Sequence, residues 1–106
     1  MNKKDVLKEI KKGTFFLKDA DDKLKADEEV VLESVKLNGL YLKFADDKLK
    51  GNKNIVLAAV KQNGMSIFFA DTKLKADKEI AQEAVKNNSE AIEYVDSKLK
   101  NSLKNI

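Results

Sequence analysis

Apolar residues recur along this chain in two alternating patterns. In EEVVLESVKLN, Val31 and Val35 stand four apart, and Val56 and Val60 repeat the spacing further on. That period predicts an amphipathic helix. In LYLKFADDKLK, Leu42, Ala45 and Leu49 fall at i, i+3 and i+7, with Phe44 beside them. The spacing predicts a second helix, and no period-two alternation persists that would suit a strand. Stop signals separate the patterns. Asp27, Asn52 and Asp77 precede the first type of run, where an N-cap belongs, and Glu28, Glu29 and Glu79 follow in the first turn. Lys36, Lys61 and Lys86 lie near its end. Asn38-Gly39 and Asn63-Gly64 then supply residues that accept the left-handed conformation. Asn88 is expected to take it in the last copy, with Ser89 capping the next helix.

The two patterns form one sentence repeated every 25 residues, starting at Ala20, Ala45 and Ala70 and begun again at Val95. The opening segment obeys the same rule. Val6, Leu7 and Ile10 occupy the slots of Val31, Leu32 and Val35, Gly13 falls where Asn38 does, and Thr14 is placed to cap the next helix. A period of this size marks stacked helical repeats, each burying its apolar face against its neighbours. The expected fold is all-α: one domain, residues 1–106, of four helical-hairpin repeats at 2–25, 27–50, 52–75 and 77–100 with a short C-terminal tail. About eight helices would stack into a small solenoid-like array. An up-and-down bundle of longer helices is the alternative, but Gly51-Asn52 and the caps at Asp27 and Asp77 argue against it.

The end units are written differently. The slot of Val30, Ile55 and Ile80 holds Asp5 in the first unit, and the slot of Phe44, Phe69 and Tyr94 holds Asp19. These slots should face a preceding unit, which the first lacks. Leu7, Leu32 and Leu57 give way to Gln82, and Phe15, Leu40 and Met65 give way to Glu90. These should face a following unit, which the last lacks. Polar end faces keep a repeat array soluble. In the tail, Leu103 and Ile106 could cover residual apolar surface. Val31, Val35, Leu42, Leu49, Val56, Val60, Ile67, Leu74, Val85 and Ile92 are the expected core.

Composition narrows the chemistry. There is no Cys, His, Pro or Trp, and all 21 basic residues are Lys. Disulfides and thiolate metal sites are thereby excluded, and the usual general base is missing. The absence of Arg argues against specific nucleic-acid reading, although an A- and T-rich genome is the better explanation of it. A net charge of +3 is spread in bands of changing sign. No apolar run reaches the length of a membrane span, and no secretory signal is legible, so a cytoplasmic location is expected.

The best-copied segment, Ala-Asp-x-Lys-Leu-Lys, has a structural explanation. Leu24, Leu49, Leu74 and Leu99 read as core anchors, and Asp21 with Lys25, Asp46 with Lys50, Asp71 with Lys75 and Asp96 with Lys100 read as i,i+4 ion pairs. The acidic clusters lack the alternation, Gly and distal Glu of a calcium loop. Seven Ser and Thr have no evident base. No catalytic residue, metal site or cofactor is expected. Variation at equivalent surface slots is what remains. Lys18, Lys43, Phe68 and Glu93 share one slot; Phe16, Tyr41, Ser66 and Ala91 a second; Lys12, Leu37, Gln62 and Asn87 a third. Leu37, Tyr41 and Phe68, with Lys61 and Lys73 at the rim, form a candidate partner-binding patch, unless they fill gaps between units.

The phrases KADEEVVLESVKLNG, NKNIVLAAVKQNG and KADKEIAQEAVKNN resemble a tandem-repeat family of microbial proteins named only as domain of unknown function 4116. The similarity covers residues 20–94 well and 2–19 weakly, and is strongest from Ile55 to Gly64; Gln82 and Ser89 depart from the pattern in the third copy. The resemblance implies helical repeats, and it carries no activity or cofactor. The expected function is that of a bacterial, non-catalytic scaffold for an unidentified protein partner. The alternative is weak polyanion or membrane-surface binding through Lys-rich bands.

Overall fold

The structure is a computed structural model that describes residues 2–103. Among these residues every regular element is a helix, with no strand. Each unit opens with a ten-residue helix: α1 (Lys3–Lys12), α3 (Glu28–Leu37), α5 (Lys53–Gln62) and α7 (Lys78–Asn87). A 3-10 segment follows at Leu17–Asp19, Gly39–Phe44, Gly64–Phe69 and Ser89–Tyr94. A short helix closes the unit: α2 (Asp22–Lys25), α4 (Asp47–Lys50), α6 (Thr72–Lys75) and α8 (Ser97–Leu103). Successive long helices pack together, α1 on α3, α3 on α5 and α5 on α7, and successive 3-10 segments do the same. The result is an elongated array of 47 × 23 × 17 Å.

The expected N-caps are in place. Asp27, Asn52 and Asp77 accept hydrogen bonds from the amides of Val30, Ile55 and Ile80 at 3.0, 3.1 and 3.1 Å. Asn2 does the same for α1, through Asp5. Such a cap is worth about 1 kcal/mol.

The second half of each unit differs from the expected single helix. Ala20, Ala45, Ala70 and Val95 are extended, so a 3-10 segment and a short α-helix stand in place of one helix. The reason lies in the recurring aspartates. Asp21 accepts from the amide of Leu24, while Asp46, Asp71 and Asp96 accept from Lys48, Lys73 and Lys98. These residues cap the short helices and are not partners in i,i+4 ion pairs. The ion pair that forms is Lys50 with Asp47, at 3.5 Å. The capping aspartates also tie units together through the main chain. The amides of Asp46, Asp71 and Asp96 donate to the carbonyls of Lys25, Lys50 and Lys75 at 2.9, 2.9 and 3.0 Å.

The turns also obey a different logic. The left-handed conformation occurs, among the described residues, at Gly13 alone, with φ 76°. Its amide and that of Thr14 bond back to Ile10 and Glu9, closing α1 in a Schellman-type turn. Thr14 turns its hydroxyl to Glu9 and leaves the next 3-10 segment without a side-chain cap. Asn38, Asn63 and Asn88 are extended, with φ near −150°. Each caps the next 3-10 segment, through the amides of Leu40, Met65 and Glu90; Asn88, rather than Ser89, is the cap in the last unit. Gly39 and Gly64 are needed for space. A Cβ on Gly39 would lie 2.2 Å from the carbonyl oxygen of Ala59, and one on Gly64 2.2 Å from that of Ala84.

The core runs the length of the array. Val31, Val35, Leu42, Leu49, Val56, Val60 and Ile67 are buried as expected, together with Val30, Ile55 and Ile80. Leu74, Val85 and Ile92 are only half-buried. Leu74 shares its slot with half-buried Leu24 and Leu99, on short helices at the edge; Val85 and Ile92 belong to the last described unit, where Val85 lines an open groove with Gln82, Ser89 and Leu103. Leu103 is buried beside that unit, and Ile106 lies outside the described residues. Asp5, Asp19, Gln82 and Glu90, the polar substitutes in the end units, are exposed.

Candidate partner-binding surface

Phe68 is the penultimate residue of the third 3-10 segment and is 50% exposed. Its ring lies edge-on to Phe69 at 5.1 Å and to Tyr94 at 4.9 Å. Tyr94 belongs to the next unit, so Phe68 sits on the junction between the third and fourth. Lys75 places its ammonium 5.5 Å from the centre of the Phe68 ring. Thr72 stands where Asp47 pairs with Lys50, so Lys75 has no carboxylate three residues back to compete with the ring. A cation over an aromatic face contributes about 0.5–1 kcal/mol at an exposed site. Lys73 lies exposed on the same short helix, α6.

The other candidates belong elsewhere. Tyr41 is half-buried, with its ring 6.3 Å from that of Phe44. Its slot turns inward in the later units, where Ser66 and Ala91 are fully buried, whereas Phe16 in the first unit is 54% exposed. The Ser66 hydroxyl lies 2.6 Å from where a Gly39 Cβ would stand. Leu37 is 50% exposed, but its slot serves the stack in later units. Gln62 accepts a hydrogen bond from the Gly39 amide and Asn87 one from the Gly64 amide, both at 2.6 Å. Asn87 also donates to the carbonyl of Lys61 at 3.0 Å. By unit equivalence Leu37 and Tyr41 face the first unit, whereas the ring contact of Phe68 across units is with Tyr94 of the fourth. Lys61 keeps its side chain exposed beside Glu83, Lys86 and Asn87, around a shallow depression of about 220 Å³. The structure therefore groups Phe68 with Lys75 and with the helix that carries Lys73. It sets Leu37, Tyr41 and Lys61 apart from them.

From the sequence alone the second and third slots look like free surface. Gln62 and Asn87 are instead staples between units, and Ser66 and Ala91 are packing residues. Sequence reasoning misses Tyr94 and Lys75 as neighbours of Phe68. A signal for Lys75 is present, in the change from Asp47 to Thr72.

Electrostatics holds alternate junctions. Lys3 reaches Asp27 and Glu29, each at 3.1 Å, and Lys53 reaches Asp77 at 3.1 Å and Glu79 at 3.0 Å. Partial burial pushes the Asp27 and Asp77 carboxyls up, but cap bonds from Val30 and Ile80 and the lysine ammoniums outweigh it and hold them below the usual carboxylate range. At the middle junction Glu28 stands where Lys3 and Lys53 do. Asn52 and Asn54 face it across a groove of about 290 Å³ that reaches Leu32 and Ile55. A larger groove, about 520 Å³, lies at the C-terminal end between Gln82, Val85, Ser89 and Leu103. Among the described residues no group of three or more Asp and Glu is placed to hold a metal ion, and no helix is long and apolar enough to cross a membrane.

The fold defines an all-α tandem-repeat protein. The family profile of the domain of unknown function 4116 matches residues 2–50, 27–75 and 52–100, and the chain belongs to that family. Neither curated proteins nor solved structures gave a match.

Proposed function

We propose that this array is a non-catalytic scaffold that binds another protein at the junction of its third and fourth units. The observation that carries the reading is Phe68. It is half-exposed and braced by Phe69 and Tyr94, in a slot that Lys18, Lys43 and Glu93 fill in the other units. A rigid, partly exposed aromatic is the usual anchor of an interface, where a few residues carry most of the energy. The recurring residues support the same reading, because caps, staples and core account for them. No His is present to supply the usual general base, and no Cys to supply a thiolate nucleophile. The test is a photo-crosslinking side chain at position 68 and, as control, at position 43, in lysate of the cells that make the protein. One protein captured specifically at 68 is expected. Equal capture at both positions, or none, would reject the reading.

A second reading has its own observation. The short helices are stacked by main-chain bonds and carry Lys23, Lys25, Lys48, Lys50, Lys73, Lys75, Lys98 and Lys100. Such a basic edge suits a weak polyanion or an anionic membrane surface. Its affinity would fall steeply with added salt, whereas an aromatic-anchored contact would lose little.

A further inference from the structure

The basic edge is not uniform. The first two short helices carry four lysines, and Asp21, Asp22, Asp46 and Asp47 lie among them. The last two also carry four lysines, but Thr72 and Ser97 replace the second aspartate of each cap. Asp71 and Asp96 remain, each with a carboxylate oxygen engaged by a helix amide, at 2.7 and 2.9 Å. Charge is therefore balanced along the first half of this edge and in basic excess along the second. Phe68 lies on the side of the excess, with Lys75 leaning over it.

We infer that the Phe68 surface takes a short acidic peptide segment carrying one apolar side chain, which packs on Phe68 while its carboxylates meet Lys73 and Lys75. The inference rests on the scaffold reading above and adds the chemistry of the partner. Charge complementarity selects the acidic segment. Lys75 is only half-buried, so its ammonium can turn from the ring to a carboxylate without unfolding anything. Its cation–π contact holds the charge at the anchor meanwhile. The extent of the patch favours a short ligand. Glu93 occupies the Phe68 slot one unit on and closes the basic surface on that side. A single-stranded nucleic acid fits less well. Stacking platforms offer successive open aromatic faces, and here Phe68 has Lys75 over its ring, with Phe69 and Tyr94 in edge contact.

The test uses a fluorescein-labelled poly-glutamate peptide with one central leucine, read by fluorescence anisotropy against the intact protein. A peptide with serine for leucine and a labelled oligothymidylate serve as competitors in class. The leucine peptide should bind about tenfold tighter than the serine peptide, as expected for one good apolar anchor. Phe68→Ser should remove that preference. The charge reversal Lys73→Glu with Lys75→Glu should weaken both peptides by tenfold or more, at about 0.1 M salt where surface charges still interact. Reversal of Lys23 and Lys25, on the balanced half and one unit further away, should leave binding unchanged. Circular dichroism confirms that each variant is folded, and the double lysine variant keeps the test open if Phe68→Ser is not. Equal binding of the two peptides, tighter binding of the oligothymidylate, or equal loss from either lysine pair overturns the inference. A protein cross-linked at position 68 through a non-acidic segment also overturns it, while the scaffold reading stands. Capture of nothing at position 68 overturns the scaffold reading itself.

Discussion

Gly64→Ala should loosen the last unit, and the cost can be worked from the structure. The backbone at Gly64 does not have a positive φ, so an alanine there meets no intrinsic strain. All of the cost is contact. The new Cβ would lie 2.2 Å from the Ala84 carbonyl oxygen and 3.1 Å from the Asn88 amide nitrogen, both main-chain atoms that cannot rotate away. Ordinary contact is restored only if α7 and the 3-10 segment Gly64–Phe69 separate by about 1 Å, and overpacking of this kind costs about 1–3 kcal/mol. Separation also stretches the 2.6 Å bond from the Gly64 amide to Asn87. Loss of that partly buried bond adds about 1 kcal/mol. The total, about 2–4 kcal/mol, is a large share of a small domain's stability. The last unit supplies the control. Ser89 holds the same slot but is exposed at the open groove it lines with Leu103, so Ser89→Ala should change little. Urea unfolding monitored by circular dichroism measures both. In a repeat array the loss should concentrate at one junction, so hydrogen exchange should show α7 and α8 opening before α3. A Gly64→Ala loss below about 1 kcal/mol, or one matched by Ser89→Ala, would refute the close-approach argument.

The same junctions give three further outcomes. Gln62→Leu, which places the Leu37 side chain one unit on, should cost about 1–3 kcal/mol in urea unfolding because the Gly39 amide loses its acceptor; Gln62→Glu, which keeps an acceptor, should cost less, and equal losses would disprove the staple. Leu49→Ala should cost about 2–5 kcal/mol, and Leu74→Ala less because Leu74 is half-buried; the reverse order would show the packing to be wrong. The lowered carboxyls of Asp27 and Asp77 contribute stability that is fully present above the ordinary carboxylate range and lost as pH falls through their lower folded values. Thermal melts should therefore weaken on acidification below about pH 4. Asp77→Asn, which keeps a cap like that of Asn52 but not the charge facing Lys53, should flatten the acid limb; an unchanged limb would rule the clamp out.

The stack was legible in the sequence where residues of one slot change together at the ends. Asp5 lies exposed in the slot where Val30 and Ile55 are buried, and Gln82 lies exposed in the slot where Leu32 and Leu57 are half-buried. The long helices were legible because Asp27, Asn52 and Asp77 can hardly be read as anything but caps. The second half of each unit was less so. Leu42, Ala45 and Leu49 fit a helical spacing, but a 3-10 segment, one extended residue and a short helix present the same residues inward. Hydrophobic spacing does not separate these cases over so few residues. An aspartate before Lys-Leu-Lys satisfies both a cap and an i,i+4 ion pair, and only the path of the chain decides. The glycines misled for a related reason. Asn-Gly usually signals a left-handed turn, whereas here glycine clears space for a helix in the next unit, which is not near in sequence. The candidate site was legible residue by residue. Its grouping was not, because Phe68, Lys75 and Tyr94 meet across a junction.

A further regularity ties the family match to the physics. Each stretch matched by the family profile is two units long. A single unit is not a closed set of bonds. The Gly39 amide has its acceptor on Gln62, the Lys50 carbonyl has its donor on Asp71, and the Ala59 carbonyl requires the absence of a side chain at Gly39. In each case the two halves of the interaction lie in consecutive units. Two units therefore make the smallest segment in which these constraints are complete, and a pairwise pattern is what selection for stacking would write. Slots that take part in this pattern are tied to their neighbours and cannot drift freely. The slot of Lys18, Lys43, Phe68 and Glu93 takes part in none of these bonds, and its occupants range over both charges and an aromatic. Freedom from these interlocking bonds is the physical reason that this slot can specialise, although the Phe68 ring itself packs on Tyr94 of the next unit. It favours Phe68 as the candidate contact over Leu37 and Tyr41, whose slots the stack uses in other units.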